Sequence, residues 1–278
     1  MLVFEVLKVV ILAIIEGITE WLPVSSTGHM ILLDEMLRLD ASAEFLEMFL
    51  VVIQMGAIFA VPILFWDRLN PVSAKKTAVE KRKTFAIWSR VIVGSVPAAV
   101  LGLFLDDMID RYFYRYTVVA MALIMYGIFF VIVEKIRAEK ESRINHIDEL
   151  TYSDALKIGA FQSLSLIPGT SRSGSTILGG MLSGVSREVS AEFSFFMAIP
   201  IMLGASGLKV VKFVFSGGSL SAVEALLLAV GVVVSFIVSL VVIKLLMDFV
   251  KRHDFKIFGY YRIGLGLTVL IYFLIQKV

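Results

Sequence analysis

Six stretches of this chain run for about 20 residues each with few charges, the length an α-helix needs to cross the hydrocarbon of a bilayer. They lie at roughly 45 to 66, 85 to 105, 116 to 134, 189 to 214, 220 to 247 and 257 to 276. In hydrocarbon the backbone must satisfy its own hydrogen bonds, so such runs are read as membrane-spanning helices. Composition agrees: 58% of the 278 residues are hydrophobic, 18% are charged, and the mean hydropathy of +0.89 excludes an ordinary soluble domain. Basic residues number 26 and acidic residues 24, and a net charge of +2 gives no electrostatic footprint for nucleic acid. The absence of cysteine excludes disulfides, thiolate metal sites and a cysteine nucleophile. The N-terminal apolar run carries Glu5 and Lys8 and no small-residue cleavage site, so it is expected to stay in the mature protein.

Two further apolar regions are interrupted. Residues 3 to 39 contain Glu16, Glu20, Pro23 and His29, and residues 152 to 183 contain Gln162, Pro168, Gly169 and Arg172. Each reads as two short helices around a polar turn. Irregular backbone at membrane depth is tolerated only where it lines a protein-enclosed cavity, so these regions are expected to be re-entrant hairpins. With six spans, that makes ten helical segments.

Basic residues orient the arrangement, because short cytoplasmic loops are enriched in Lys and Arg. Arg68, Lys75, Lys76, Lys81, Arg82 and Lys83 fall in one loop, Lys135, Arg137, Lys140 and Arg143 in the next on that side, and Lys251, Arg252 and Lys256 in a third. The opposite loops hold only Arg38, Arg111 and Arg115, which places both termini outside. The halves also repeat: one offset of 145 residues relates Pro23 to Pro168, Ser25 to Thr170, Ser26 to Ser171 and Glu47 to Glu192. The expected fold class is therefore an all-α polytopic membrane protein, one integral domain over 1–278. It is an inverted-topology repeat with six transmembrane helices and two re-entrant helical hairpins. The first repeat covers 1–134 (hairpin 3–39 plus three spans), the second 152–278 (hairpin 152–183 plus three spans).

The chemistry lies in the two turns. In the first, Glu16 and Glu20 are four apart and share a helical face. Ionised carboxylates are costly in a bilayer, so the pair points to a divalent cation, a shared proton, an acid and base with separated pKa values, or a cationic partner such as Arg90 or Arg172. After Pro23, the hydroxyls of Ser25, Ser26 and Thr27 sit where a second helix would begin, a position where serine ordinarily caps open N–H groups. His29 follows Ser26 by three residues on the same face, which would put a nucleophile within reach of a base. The second turn, Pro168-Gly169-Thr170-Ser171-Arg172-Ser173-Gly174-Ser175-Thr176, is a glycine-rich start of a helix with one permanent positive charge. Backbone N–H groups, the helix dipole and a bidentate guanidinium all suit a phosphate there. An anion cradle facing a hydroxyl and carboxylates is a phosphoryl-transfer layout. A transporter or flippase of isoprenyl phosphate lipids is the rival reading, because inverted repeats with broken helices are also a transporter plan.

At these two motifs, Glu-x-x-x-Glu with Pro-Val-Ser-Ser-Thr-Gly-His and Pro-Gly-x-Ser-Arg-Ser-x-x-Thr, the sequence resembles the undecaprenyl-pyrophosphate phosphatase family, bacterial membrane enzymes linked to bacitracin resistance. The likeness extends over essentially the whole chain, including Glu192 to Phe195 and the end near Lys251. The resemblance implies hydrolysis of undecaprenyl pyrophosphate to undecaprenyl phosphate and inorganic phosphate, recycling the carrier of cell-wall precursors. It makes Ser26 the candidate nucleophile, with His29 and Glu20 in proton transfer and Glu16 in acid/base or metal work; His29 or a metal-bound water are the other candidate nucleophiles. Arg172 would hold the pyrophosphate, Ser171, Ser173, Thr176 and Gly169 would line its site, and Ser25 and Thr27 would support the first loop. A divalent cation, Mg2+ or Ca2+, would be held by Glu16 and Glu20. The resemblance further implies a bacterial cytoplasmic membrane, with the active site opening to the outer side. A homodimer is compatible with the sequence and not required by it.

Overall fold

Four of the six long apolar runs become helices that begin where a hydroxyl side chain closes the first turn. Ser42 accepts the N–H of Phe45 ahead of α3 (Ala43–Leu64), and Ser186 accepts that of Val189 ahead of α9 (Arg187–Phe215). Thr77 and Glu80 form a reciprocal capping box at the start of α5 (Ala78–Phe113), as do Ser221 and Glu224 at α10 (Ala222–Val250) and Thr151 and Asp154 at α7 (Tyr152–Ser163). These side chains satisfy N–H groups that a helix start leaves open. The computed structural model describes residues 2–37 and 39–276, whose regular elements are all helices joined by turns and loops, with no strand among them. The remaining helices are α1 (Leu2–Thr19), α2 (Ser26–Leu37), the single turn α4 (Trp66–Leu69), α6 (Tyr116–Arg137), α8 (Arg172–Leu182) and α11 (Lys256–Ile275). Arg38 lies outside the described residues, as does the side chain of Glu47.

Five of the described helices are long and apolar enough to cross a membrane, over Ala78–Leu105, Tyr116–Arg137, Arg187–Phe215, Ala222–Val250 and Lys256–Ile275. These match five of the six expected spans. The sixth, at 45 to 66, is helix α3, whose described apolar run Met48–Leu64 is shorter. Large apolar side chains such as Phe104, Phe129, Val241 and Ile271 are exposed on these helices. A soluble protein hides such residues, whereas lipid solvates them. The two interrupted regions are indeed broken into pairs of short helices, α1 with α2 and α7 with α8.

Packing follows the small residues. Helix α1 lies against α10 and α7 lies against α5, while α3 meets α9 and α6 meets α11. A Cβ added to Gly159 on α7 would stand 2.0 Å from the carbonyl oxygen of Gly94 on α5. The corresponding contact of α1 puts a Cβ on Gly17 at 2.8 Å from the carbonyl oxygen of Ser235 on α10. Close backbone approach of this kind is how helices associate without a hydrophobic driving force between them. Below the broken helices, Trp21 packs edge-on against Phe195 at 5.3 Å, and Phe65 packs against Phe196 at 5.2 Å, so the turns rest on an aromatic floor.

Gly159→Ala is expected to force α5 and α7 apart and lower stability by about 1–3 kcal/mol. Thermal unfolding in detergent checks it; Gly204→Ala, where an added Cβ meets nothing within 4 Å, should leave the midpoint in place.

Candidate active site

Both polar turns change direction at a serine. Ser25 and Ser171 each have φ of 75°, and they are the two described non-glycine residues with positive φ. That conformation strains a side chain bearing a Cβ, and its appearance at the same point of two turns marks a site under constraint. Each serine also caps the helix it introduces: the Ser171 hydroxyl accepts the N–H of Gly174 at 3.1 Å, and Ser25 accepts that of Gly28 at 3.3 Å. The structural equivalence is therefore Ser25 with Ser171, an offset of 146. The 145-residue offset expected from the prolines slips by one residue between the proline and the cap, so the structural partner of Ser26 is Arg172 rather than Ser171.

The two turns are tied together by a residue outside both motifs. Arg262, on α11 and fully buried, donates from Nη2 to the carbonyl oxygens of Gly169 at 2.9 Å and Thr170 at 2.8 Å. From Nη1 it donates to that of Pro23 at 3.2 Å. Its guanidinium also lies 5.5 Å from the ring centroid of Tyr126. Gly169 has φ of 91°, and a Cβ there would meet the Val119 carbonyl oxygen at 2.5 Å, so only glycine lets this carbonyl reach Arg262. Ser173, from the second turn, lies within hydrogen-bond distance of the carbonyl oxygens of Glu20 at 3.1 Å and Leu22 at 3.2 Å. Thr176 bonds the Ser194 hydroxyl at 2.6 Å and the carbonyl oxygen of Arg172 at 2.9 Å. Ser173 and Thr176 were expected among the anion ligands. Their hydroxyls are buried and given to the protein, so in this structure they shape the turn.

At the centre, Arg172 donates from Nη2 to Glu20 Oε1 at 2.9 Å, and from Nη1 to the carbonyl oxygen of Ser194 at 2.9 Å. It stacks over Trp21 at 5.6 Å. The other oxygen of Glu20 accepts the Ser26 hydroxyl at 3.1 Å. A continuous line Arg172, Glu20, Ser26 thus crosses from the second turn to the first. One helical turn before Glu20, the buried Glu16 leaves Oε1 without a partner, and Arg172 leaves Nε without one. Buried groups in that condition are costly unless something else satisfies them. Arg172 neutralises Glu20, as one of the sequence alternatives had it. Arg90 is not among the partners of these glutamates, and its own Nε is buried and unpartnered.

His29 does not face Ser26 as the sequence spacing suggested. Its Nδ1 lies 2.7 Å from the carbonyl oxygen of Ser25, which can only accept, so Nδ1 carries the proton. In the neutral ring Nε2 then accepts from the Tyr261 hydroxyl at 2.7 Å. Glu20, rather than His29, is in place to take the Ser26 proton. Ser171 and Thr27 lie half-buried beside the turns. Sequence reading missed Arg262, Tyr261, Ser194 and Trp21. For Arg262 a signal existed, since an arginine inside an apolar span is by default functional.

The chain matches the family model described as Bacitracin resistance protein BacA over residues 9–268. It is 52% identical to an undecaprenyl-diphosphatase of Desulfitobacterium hafniense over 98% of each chain. It is 51% identical to one of Enterococcus faecalis over 99% of each chain. With undecaprenyl-diphosphatase 1 of Clostridioides difficile it shares 54% identity over 97% of this chain and 96% of the relative.

At φ of 75° glycine is unstrained, so Ser171→Gly is expected to lose only a few tenths of a kcal/mol with the cap, and Ser171→Ala about 1 kcal/mol or more. Unfolding of the two variants in the same detergent orders them.

Proposed function

The chain belongs to the bacitracin resistance protein BacA family, and from this and the site we infer that it hydrolyses undecaprenyl pyrophosphate to undecaprenyl phosphate and inorganic phosphate. It is a multi-pass membrane enzyme that returns the lipid carrier to cell-wall synthesis, and its activity underlies bacitracin resistance. The observation that carries the mechanism is the line from Arg172 through Glu20 to Ser26. Arg172 would bind the oxygens of the terminal phosphate, its unpartnered Nε supplying a donor. Glu20 would accept the proton of Ser26 as Oγ attacks the terminal phosphorus. The bond from that phosphorus to the bridging oxygen breaks, and undecaprenyl phosphate leaves. Water then cleaves the phosphoserine, releasing inorganic phosphate and restoring Ser26. A carrier that only moved lipid would need the anion site but not a hydroxyl held by a carboxylate.

Glu16 and Glu20 would hold a divalent cation, Mg2+ or Ca2+, and the unpartnered Oε1 of Glu16 favours this. Among the described residues no three His, Cys, Asp or Glu side chains converge. Two carboxylates completed by pyrophosphate oxygens is an ordinary Mg2+ arrangement. The cation, when bound, would neutralise charge on the pyrophosphate.

The same reading extends to the membrane. The matched turns at Ser25 and Ser171, and the matched contacts of α1 with α10 and α7 with α5, support an inverted repeat of six spans and two re-entrant hairpins. The enzyme would reside in the bacterial cytoplasmic membrane, with the site opening to the outer leaflet, where spent carrier appears. A homodimer is compatible with this arrangement.

Detergent-purified protein is expected to release phosphate from a C55 isoprenyl pyrophosphate, and a chelator should abolish the release. Arg172→Ala should lower kcat/KM by about 10²–10³, and Ser26→Ala should leave little activity. A fully active Ser26→Ala would retain the enzyme and discard the serine nucleophile. Cysteine at position 26 should react with an impermeant maleimide from the outer face; reaction from the inner face alone would reverse the orientation.

A further inference from the structure

A cavity of about 230 Å³ lies against the ends of three apolar helices. Its lining includes Arg137, the last residue of α6, Arg187, the first of α9, and Val250, the last of α10. Three of the membrane-crossing runs stop at these same residues, so the cavity sits where hydrocarbon gives way to headgroups. Arg137 and Lys251 belong to the basic loops, which puts it on the side those loops share. No residue of the Arg172, Glu20 and Ser26 line takes part in it.

Four cations from three separate parts of the chain line the cavity: Arg137 with Lys140, Arg187, and Lys251. One carboxylate, Glu188, stands among them. Two of the cations are held by acids outside the lining. Arg187 is fixed to the fully buried Glu134, with Nε 2.9 Å from Oε1 and Nη2 2.5 Å from Oε2, and the N–H of Phe255 donates to that Oε1 at 2.8 Å. Lys251 meets the exposed Asp248 at 3.1 Å. Arg137 and Lys140 meet no carboxylate among the described residues, and Arg137 donates to the Ser142 hydroxyl at 3.3 Å. The segment after Ser142 is pinned, because the N–H of Arg143 donates to the Gly184 carbonyl oxygen at 2.8 Å and that of Ser186 to the Ile144 carbonyl oxygen at 2.9 Å. Cations brought together on a fixed frame repel one another, and an anion between them removes that cost.

We propose that this cavity binds the phosphodiester headgroup of an anionic phospholipid in the leaflet on the side of the basic loops. Its volume falls below the ~300–1,000 Å³ of a drug-sized site, leaving room for a headgroup and not for a whole lipid. Met181, Val185 and Val250 add a smaller apolar wall, which suits glycerol and ester carbons and offers a free phosphate nothing. Basic pockets between membrane helices hold acidic headgroups at this depth. Bound there, the headgroup joins the ends of α6, α9 and α10, and unfolding has to release it.

Dioleoylphosphatidylglycerol added to the detergent-purified full chain is expected to raise the unfolding midpoint by about 2–5 °C. Dioleoylphosphatidylcholine and inorganic phosphate should give no such rise. Arg137→Gln/Lys140→Gln should lose most of it. Lys75→Gln/Arg82→Gln, which removes two exposed cations of a neighbouring loop outside the cavity, should keep it. Native mass spectrometry reads the binding itself: phosphatidylglycerol should be held about thirtyfold more weakly by the double cavity variant. Lys140→Gln alone, at an exposed side chain that bonds nothing in the fold, should weaken it about fivefold. A full rise kept by the cavity variant, or lost equally by the control pair, overturns the site. The same rise with phosphatidylcholine overturns the acidic headgroup, and the same rise with inorganic phosphate alone overturns the lipid in favour of a free anion. None of these readouts needs turnover, so they decide the site whatever substrate the enzyme hydrolyses.

Discussion

The guanidinium of Arg262 is the constraint on which the rest of the site depends. It is fully buried and holds three backbone carbonyl oxygens drawn from both broken helices. A charge withdrawn from water is costly unless it is bonded, and both terminal nitrogens of this guanidinium are; a carbonyl turned inward from a loop needs a donor as much. Each side therefore requires the other. The fork of an arginine can serve carbonyls on two turns at once, which a lysine ammonium at the end of a flexible stem does less well. With the turns joined, Arg172 and Ser26 come to opposite ends of one carboxylate, and neither turn alone contains that arrangement.

Around this tie, polar groups divide into those spent on architecture and those left for chemistry. Ser25, Ser171, Ser173 and Thr176 close turns or bridge them. Glu20, Ser26 and Arg172 form a line whose members are each bonded on the protein side and still have unused valences, notably Nε of Arg172, while Glu16 has an oxygen with no partner at all. Trp21, over whose ring Arg172 lies, is itself packed against Phe195, which meets Phe65 and through it Phe196.

Much of this was legible in the sequence, because a bilayer leaves few alternatives. The long apolar runs 116 to 134 and 189 to 214 became helices within a few residues of their expected limits, and Pro23 and Pro168 announced the breaks. The cost of an isolated charge at depth made an arginine partner, Arg90 or Arg172, one of several readings of the glutamate pair, and the structure joins Glu20 to Arg172. What the sequence concealed was direction and distance in space. Spacing of three suggested that His29 faces Ser26, yet the imidazole turns to the Ser25 carbonyl on one side and to Tyr261, more than 200 positions away, on the other. Arg262 lay hidden inside a run read as an ordinary span, since one charge in 20 residues does not spoil an apolar pattern. The one-residue slip between the halves was also invisible, because the 145-residue offset matches both serines with hydroxyl residues and only the backbone dihedrals show that Ser25 pairs with Ser171.

The two strained serines have a consequence for how such a site could have arisen. Immediately after each, the helix begins with a different residue: Ser26 in the first half, Arg172 in the second. An assembly of two identical half-length chains would present the same side chain at both positions, two hydroxyls or two cations. Neither doublet could attack a phosphate and hold it at once. In a single polypeptide one position can differ from its twin. In this sense the active site is a property of the asymmetry between the halves: Glu16, Glu20 and Ser26 come from the first turn, and Arg172 from the second.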